Sequence, residues 1–283
     1  MTDAHCHPWD LLEYLTEKGL TTGTEGSRHM PIHPEEERRE TGAEVAASSW
    51  NLEQFEYHER LAKKAREDGA PRLYCCFALH PQLSGERDFF PSPGLELLRS
   101  LGAEGRLDAV GETGFDLYDE RYRAGEKTQD EIFADHLEIA LRYDLPVVLH
   151  LRKAMHKIFP FTKELKKLPA VVFHSWPGTR GEGEAFLKRG VNAFFSFGTV
   201  VLKNHREAMA CAAFFPGDRL LLETDAPYQP LRGKDFSSWR DLDVICRGIA
   251  SLRKEAGSAC STPEELEENS TANFHRVFAN NSG

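Results

Sequence analysis

The sequence predicts an α/β fold, a single-domain (β/α)8 barrel that spans residues 1–283. Strand-like and helix-like segments alternate along the 283 residues, as in a parallel sheet built from βα units. Several short apolar runs stop at His, Glu or Asp, which is how barrel strands present chemical groups at their C-terminal ends. No Gly-x-Gly-x-x-Gly motif follows the first strand, so the pattern favours a barrel over an open dinucleotide-binding sheet.

The first apolar stretch carries His5-Cys6-His7. Side chains at positions i and i+2 of a strand point to the same face, so both imidazoles would aim at one point. Such a pair suits a divalent metal ion. Because two nearby histidines also arise by chance, the prediction of a metal site depends on matching ligands at later strand ends.

Later apolar runs do end at such residue types. A second strand is expected near residues 45–50, and the remaining runs each stop at or beside a possible ligand. They are residues 72–79 before His80, 107–111 before Glu112, 145–149 before His150, 170–173 before His174, and 220–222 before Glu223 and Asp225.

Helical spacing of apolar residues connects these strands. The predicted helices cover residues 52–68, 129–143 and 237–255. A last helix would begin at Thr262, where Glu265 completes a capping box and Pro263 occupies the first helical position. His58, His136, His156, His205 and His275 fall in helical segments and are expected to be surface or capping residues.

Residues 19–44 depart from this alternation. The segment is rich in Gly, Thr, Glu, Arg and Pro and is expected to form a long charged loop after the first strand. A charged loop is usually solvated surface, and its location at the barrel mouth leaves open a role as a lid that brings His29 and His33 near the substrate.

Composition bounds the class of protein. The net charge of −10 argues against a protein that coats long nucleic acid through a broad basic surface, although bound metal ions can supply local positive charge. The six cysteines are sparse, and Cys6, Cys75 and Cys76 lie inside apparent strands, where burial is expected. Without a signal-peptide profile or a membrane-spanning apolar run, we expect a cytoplasmic monomer or weak oligomer.

In their order and spacing the motifs resemble the TatD-like metal-dependent deoxyribonucleases, within the amidohydrolase-type TIM-barrel hydrolases. The matching stretches are residues 3–7, 79–81, 110–116, 145–150, 173–175, 222–228 and the closing helix 268–278. Gly-Glu-Thr-Gly-Phe-Asp and Leu-Glu-Thr-Asp-Ala-Pro-Tyr are the specific ones. The resemblance covers nearly the whole chain.

The resemblance implies a site with two divalent metal ions. In that scheme His5, His7 and Asp225 bind one ion, His150 and His174 bind the second, and Glu112 bridges both. Mixed nitrogen and oxygen ligands suit Zn²⁺, Mn²⁺, Co²⁺ or Fe²⁺ and hold Mg²⁺ less tightly.

Other residues have open roles. Glu223, two positions before Asp225, could orient a ligand or be a structural buried acid. His80 could contact substrate phosphate, support Glu112, or be satisfied by local hydrogen bonds. Arg152 and Lys203 could reach a phosphate. Tyr228 and Trp176 could stack on a base or pack in the core.

The implied activity is hydrolysis of phosphodiester bonds in DNA, as an exonuclease acting on single strands or 3′ ends. A metal-activated water would attack phosphorus, with Glu112 and Asp225 as the catalytic residues and Asp225 accepting the proton. The alternative is an amidohydrolase-type enzyme that uses the same site on an amide, ester or lactone. A non-catalytic metal-binding scaffold would require a broken ligand set, and this set is complete.

Overall fold

Eight parallel strands form the centre of the structure, a computed structural model that describes residues 1–20 and 33–279. Each strand pairs with the next one along the chain. The strands are β1 (Thr2–Cys6), β2 (Glu44–Ser49), β3 (Leu73–Phe77), β4 (Ala109–Asp116), β5 (Val147–Arg152), β6 (Val171–Phe173), β7 (Ala193–Phe197) and β8 (Leu220–Leu222).

Hydrogen bonds between the first strand and the segment after the last strand close the barrel. The Asp3 carboxylate accepts hydrogen bonds from the Thr224 backbone N–H at 2.9 Å and from the Thr224 hydroxyl at 2.6 Å. Further along, the Asp225 N–H donates to the His5 carbonyl at 3.0 Å. The (β/α)8 barrel predicted from the sequence is therefore confirmed.

Helices pack around the sheet and connect its strands. They are α1 (Pro8–Glu17), α2 (Pro34–Thr41), α3 (Leu52–Asp68), α4 (Ser92–Ala103), α5 (Glu120–Ala124), α6 (Glu126–Arg142), α7 (Met155–Ile158), α8 (Thr162–Leu165), α9 (Arg180–Lys188), α10 (Arg206–Phe214), α11 (Asp241–Glu255) and α12 (Pro263–Phe278). Across the described residues, none of these helices has the length and apolar character needed to cross a bilayer.

All four predicted helices are found, as α3, α6, α11 and α12, and the boundaries of α6 and α11 differ from the prediction. The helix α3 has the predicted bounds, and α12 begins at Pro263 with the predicted capping box. The helix α11 begins at Asp241, later than predicted, because residues 238–241 form a turn in which the Asp241 N–H donates to the Ser238 carbonyl at 2.9 Å. The Ser237 hydroxyl donates to the Thr224 carbonyl at 3.2 Å, and the Asp241 carboxylate accepts from the Ser238 N–H at 3.2 Å.

The expected long loop at residues 19–44 is wrong over Pro34–Thr41, which forms α2. Pro34 occupies the first turn of α2, where its missing N–H is no loss. Arg38 is fully buried, although its sequence neighbours are charged. Its guanidinium forms an ion pair with Glu35 at 2.7 Å and donates to the Pro71 carbonyl at 2.6 Å, which fixes α2 against the barrel.

The predicted lid would bring His29 and His33, from the same segment, near the substrate. Residues 21–32, including His29, lie outside the described residues. His33 caps α2, because its ring accepts a hydrogen bond from the Glu35 N–H at 3.3 Å.

The barrel interior is filled by alternate strand residues and closed at one end by the last helix. Tyr74 on β3 contacts Phe274 and Phe278 of α12, with ring centroids 5.3 Å and 6.0 Å apart. These aromatic rings belong to the same buried cluster as Val148 and Val172. The interior is thus a packed core, and the opposite, C-terminal end of the strands is left for the polar residues.

Two helical histidines that are expected at the surface, His58 and His136, are instead buried. Each joins two separate segments of the chain by hydrogen bonds, and we call such residues tethers. His136 accepts a hydrogen bond from the Leu79 N–H at 3.3 Å, and its other nitrogen lies 2.5 Å from the Thr113 hydroxyl. It therefore joins the end of β3 to β4, next to His80. His58 makes an equivalent pair of bonds between the start of α1 and the end of β2. A helical position alone does not reveal such burial.

These tethers predict a pH-dependent stability. Burial lowers the pKa of His58 and of His136 from 6.5 to about 3. The unfolded chain takes up these protons near pH 6.5 and the folded chain only near pH 3, so the free energy of unfolding falls as pH drops through that window. The free energy of unfolding is measured by urea titration of metal-free protein at pH values between about 3 and 6.5. In His136→Gln, its change with pH should be smaller by roughly 1.4 kcal/mol per pH unit.

The matched control is His156→Gln, because His156 is exposed. Its stability should follow that of the unsubstituted chain at every pH. A His136→Gln protein with the same pH dependence as the unsubstituted chain would contradict the assignment.

Candidate metal centre

The polar residues of the centre lie one layer beyond the apolar barrel interior. Val148 and Val172 belong to the interior cluster. His150 lies two residues after Val148, and His174 lies two residues after Val172. Because side chains two apart on a strand share a face, the histidines project at the barrel mouth. The same step separates Ala46 from Ser48, Phe194 from Ser196, and Leu221 from Glu223.

The Glu112 carboxylate lies among the predicted histidines and is only 5% exposed. Its Oε2 atom is 3.2 Å from His5 Nε2 and 3.5 Å from His7 Nε2. Its Oε1 atom is 2.6 Å from His150 Nδ1 and 3.6 Å from His174 Nε2. Each oxygen thus faces a different histidine pair, an arrangement in which one carboxylate could contact two cations.

Asp225 completes the side of the centre that holds the first histidine pair. Its Oδ1 atom is 3.6 Å from His5 Nε2 and 3.5 Å from His7 Nε2. The residue has a φ of 57°, a left-handed conformation that Asp tolerates better than most residues. The Gln229 amide donates to Oδ2 at 2.8 Å and fixes the carboxylate. The predicted ligands therefore converge.

The first histidine pair differs in detail from the prediction. His5 is on β1, whereas His7 follows the strand end and precedes Pro8, the first residue of α1. The two Nε2 atoms nevertheless lie 3.1 Å apart. The pair converges because the chain turns from strand to helix immediately after His7.

Among the described residues, three overlapping groups of side chains could hold a metal ion, with donor atoms within 4.8 Å of one another. The groups are His5 with His174 and Asp225, His5 with His7 and Glu112, and His80 with Glu112 and His150. His80, predicted to contact substrate, thus lies within the cluster. Its Nε2 atom is 3.5 Å from Glu112 Oε1 and 3.4 Å from His150 Nδ1.

The outward-facing nitrogens of the histidines are held by further polar groups. His5 Nδ1 lies 3.2 Å from the Ser48 hydroxyl, and His150 Nε2 lies 3.2 Å from the Asp116 carboxylate. With that side held, the other ring nitrogen of each histidine is directed toward the centre. Metal-ligating histidines typically have this arrangement, in which a polar group holds one ring nitrogen and the other faces the metal.

Glu223 anchors another ring of the centre. Its Oε2 atom is 3.0 Å from His174 Nδ1 and accepts a hydrogen bond from the Ser196 hydroxyl. Of the two roles left open for Glu223, this contact favours orientation of a histidine. Ser196 was missed because β7, which carries it, ends without a ligand-type residue.

Asp116 and Ser48 were also missed as site residues. Asp116 ends the motif Gly-Glu-Thr-Gly-Phe-Asp, and Ser48 follows the interior residue Ala46 by two positions. Both signals are visible in the sequence. Neither sequence position indicates which histidine the side chain contacts, because each contact joins residues from different strands.

Burial lowers the pKa of His5 and of His80, but other histidines of the centre have a raised pKa because carboxylates surround them. Burial lowers the pKa of His174, but the carboxylates of Glu223, Asp225 and Glu112 outweigh it and raise that pKa to about 10. For His150 burial is likewise outweighed, by Glu112 and Asp116, and the pKa rises to about 9.

Glu112 shows the opposite shift. Burial raises its pKa, but the surrounding imidazoles hold it well below the usual range. Protons and metal ions both supply positive charge that offsets these carboxylates, and they compete for the same imidazole nitrogens. The mixed imidazole and carboxylate donors therefore fit divalent cations.

A cleft of about 870 Å³ leads to the centre. Arg152 and Tyr228 line it. Lys203 lies beside the cleft, where its ammonium group donates to the Gln229 carbonyl at 3.2 Å. Trp176 is only 2% exposed and packs in the core, so a role in base stacking is excluded.

A family model described as TatD related DNase matches residues 2–279. A relative from Musicola paradisiaca named 3'-5' ssDNA/RNA exonuclease TatD is 30% identical over 227 residues, which cover 77% of this chain and 82% of the relative. YcfH from Escherichia coli strain K12, named an uncharacterized metal-dependent hydrolase, is 33% identical over 194 residues, covering 65% of this chain and 67% of YcfH.

The solved structures agree on the fold. The crystal structure of YJJV, a TatD homologue from Escherichia coli, has a TM-score of 0.76 and 24% identity, and the match covers 99% of this chain and 98% of YJJV. Because the family model matches nearly the whole chain, the chain belongs to the TatD-related DNase family.

Proposed function

We propose that this chain is a two-metal hydrolase that removes nucleotides from the 3′ end of single-stranded DNA. The observation that carries the proposal is the position of Glu112, whose two oxygens face separate histidine pairs. Relatives of the chain are named exonucleases of single-stranded DNA and RNA, which supports a nucleic-acid substrate.

In the proposed centre, His5, His7 and Asp225 would hold one divalent cation, and His150 with His174 would hold the other. Glu112 would face both, and its negative charge would lower the repulsion between them. When bound, the cations supply Lewis-acid chemistry, which polarises a phosphate oxygen and makes water more acidic. Zn²⁺, Mn²⁺, Co²⁺, Fe²⁺ and Mg²⁺ are the candidates.

The protein's own groups position the reactants. The Gln229 amide holds the Asp225 carboxylate in place, and the neighbouring imidazoles, His174 foremost, outweigh burial and lower its pKa. This carboxylate accepts a proton from the attacking water. His80, Arg152 and Lys203 bind substrate phosphate, since each lies at the cleft or directly beside it. Glu223 orients His174 by the bond to its Nδ1 atom.

The cleft favours an unpaired strand. The reactive side chains lie below the rim of the barrel, from His5 at 1% exposed to His150 at 14%, so a phosphodiester must enter the cleft to reach them. Trp50, Tyr118 and Tyr228 line the walls. Aromatic walls bind unstacked bases of any sequence, whereas a duplex would first have to unpair.

A second candidate function uses the same metal centre to hydrolyse a different kind of bond. An amide, ester or lactone carbonyl could be attacked in place of phosphorus. The net charge of −10 favours this candidate, because the chain lacks the overall positive charge that draws DNA to many nucleases.

Metal loading tests the substrate class. Protein stripped with EDTA and reloaded with Mn²⁺, Mg²⁺ or Zn²⁺ should shorten a 5′-labelled single-stranded oligonucleotide from its 3′ end, and should degrade the matching duplex more slowly. Denaturing gels give the products. Metal-loaded protein that cleaves p-nitrophenyl acetate or a lactone but no oligonucleotide would support the second candidate and refute the first.

The Asp225→Asn variant tests the assigned base and ligand. Loss of the charge and of the proton acceptor should lower kcat by roughly 10²–10⁴-fold on the oligonucleotide. Circular dichroism and urea unfolding would report on folding. The control is Asp243→Asn, because Asp243 is an exposed partner of Arg247 on α11 and should not affect the rate. Unchanged activity in Asp225→Asn would rule out its role.

A further inference from the structure

Two cations are held against one aromatic ring that lines the cleft. The Arg152 guanidinium lies 3.6 Å from the centroid of the Tyr118 ring, and the Lys153 ammonium lies 4.6 Å from it. Tyr118 is 46% exposed, and it lines the cleft together with Arg152. The attraction between each cation and the ring restricts two long side chains that would otherwise move freely.

This group of three residues, the Tyr118 cluster, is tied to the metal centre by backbone and side-chain bonds. The Asp116 carboxylate accepts a hydrogen bond from the Tyr118 N–H at 2.9 Å, while its other oxygen lies 3.2 Å from His150 Nε2. The Leu117 N–H donates to the Arg152 carbonyl at 2.9 Å. The cluster therefore has a fixed position relative to His150.

The two cations lack acidic partners. Within residues 1–20 and 33–279, neither Arg152 nor Lys153 forms an ion pair with a carboxylate, although many other basic residues do. In a chain with a net charge of −10, two cations without acidic partners leave local positive charge beside the metal centre. Its electrostatic complement is an anion.

We propose that Tyr118, Arg152 and Lys153 form a binding site for a second substrate phosphate, that of the nucleotide next to the scissile bond. The inference rests on the proposed nuclease function and deepens it. Arg152 is two residues beyond His150 on β5, which is roughly 6.6 Å further along the strand. That step is close to the separation of neighbouring phosphates in an extended single strand.

Each member of the Tyr118 cluster has a separate task. Arg152 and Lys153 supply charge-assisted hydrogen bonds to the phosphate oxygens. Tyr118 is a positioning residue, because its ring holds both cations in place before the substrate arrives. The site would make the enzyme prefer a chain of at least two phosphates over a substrate with only one.

The test compares two thymidine oligonucleotides, the dinucleotide TpT and the trinucleotide TpTpT, which differ by one phosphate. With Mn²⁺-loaded protein, kcat/KM should be about tenfold higher for TpTpT, as expected for charge-assisted bonds to one added phosphate. The double variant Arg152→Met/Lys153→Met should bring this ratio close to one. A merely structural effect would lower both rates equally and leave the ratio unchanged.

The ring is tested separately. Tyr118→Leu should lower the ratio, whereas Tyr118→Phe, which keeps the ring, should preserve it. In the double variant, kcat/KM for TpTpT should depend less steeply on salt concentration than in the unsubstituted protein, because fewer charge interactions remain to be screened.

A matched control pair exists on α10 and α9. Phe214 is 47% exposed, and the Arg180 guanidinium lies 4.9 Å from its ring, but neither residue lines the cleft. Phe214→Leu and Arg180→Met should leave the ratio unchanged. Hydrolysis of both oligonucleotides at equal kcat/KM, or an unchanged ratio in the double variant, would overturn the second-phosphate site alone. Hydrolysis of neither would overturn the proposed nuclease function and the site with it.

Discussion

The buried negative charge of Glu112 is the constraint on which the rest of the centre depends. A carboxylate that is 5% exposed is stable only with compensating positive charge and hydrogen bonds. Here imidazole nitrogens surround it, on one side from His5 and His7 and on the other from His150 and His174. Those nitrogens compensate the charge either as protonated rings or as ligands that hold cations. The same arrangement that makes the centre need positive charge therefore makes it suited to divalent metals.

The barrel supplies the geometry that this constraint requires. Parallel strands place the residue two positions beyond an interior apolar side chain at one common rim, so that separate segments of sequence contribute to one site. Ser48, Asp116 and Glu223 then fix the outward nitrogens of the rings. Closure of the barrel through the carboxylate of Asp3 holds the segment that carries Asp225 beside β1. Packing in the interior thus determines where the ligands meet.

The sequence predicts well what depends on local order and poorly what depends on contacts between strands. Apolar runs that end at His150 and His174 predict both the strands and the residues at their ends, because strand period and strand end are local properties. The burial of His136 is not predicted, since its partners come from the segment after β3 and from β4. The helix α2 was missed because its charges indicate solvent, whereas Arg38 is buried by a partner three residues away and by the distant Pro71.

The central claim is that one carboxylate serves two cations, and anomalous scattering tests it most directly. A crystal grown with Mn²⁺, measured on both sides of the manganese absorption edge, gives the number and location of the ions together. The account predicts two peaks in all, one on each side of the Glu112 carboxylate: one beside His5, His7 and Asp225, and the other beside His150 and His174. A single peak, or peaks that leave Glu112 without a contact, would contradict it.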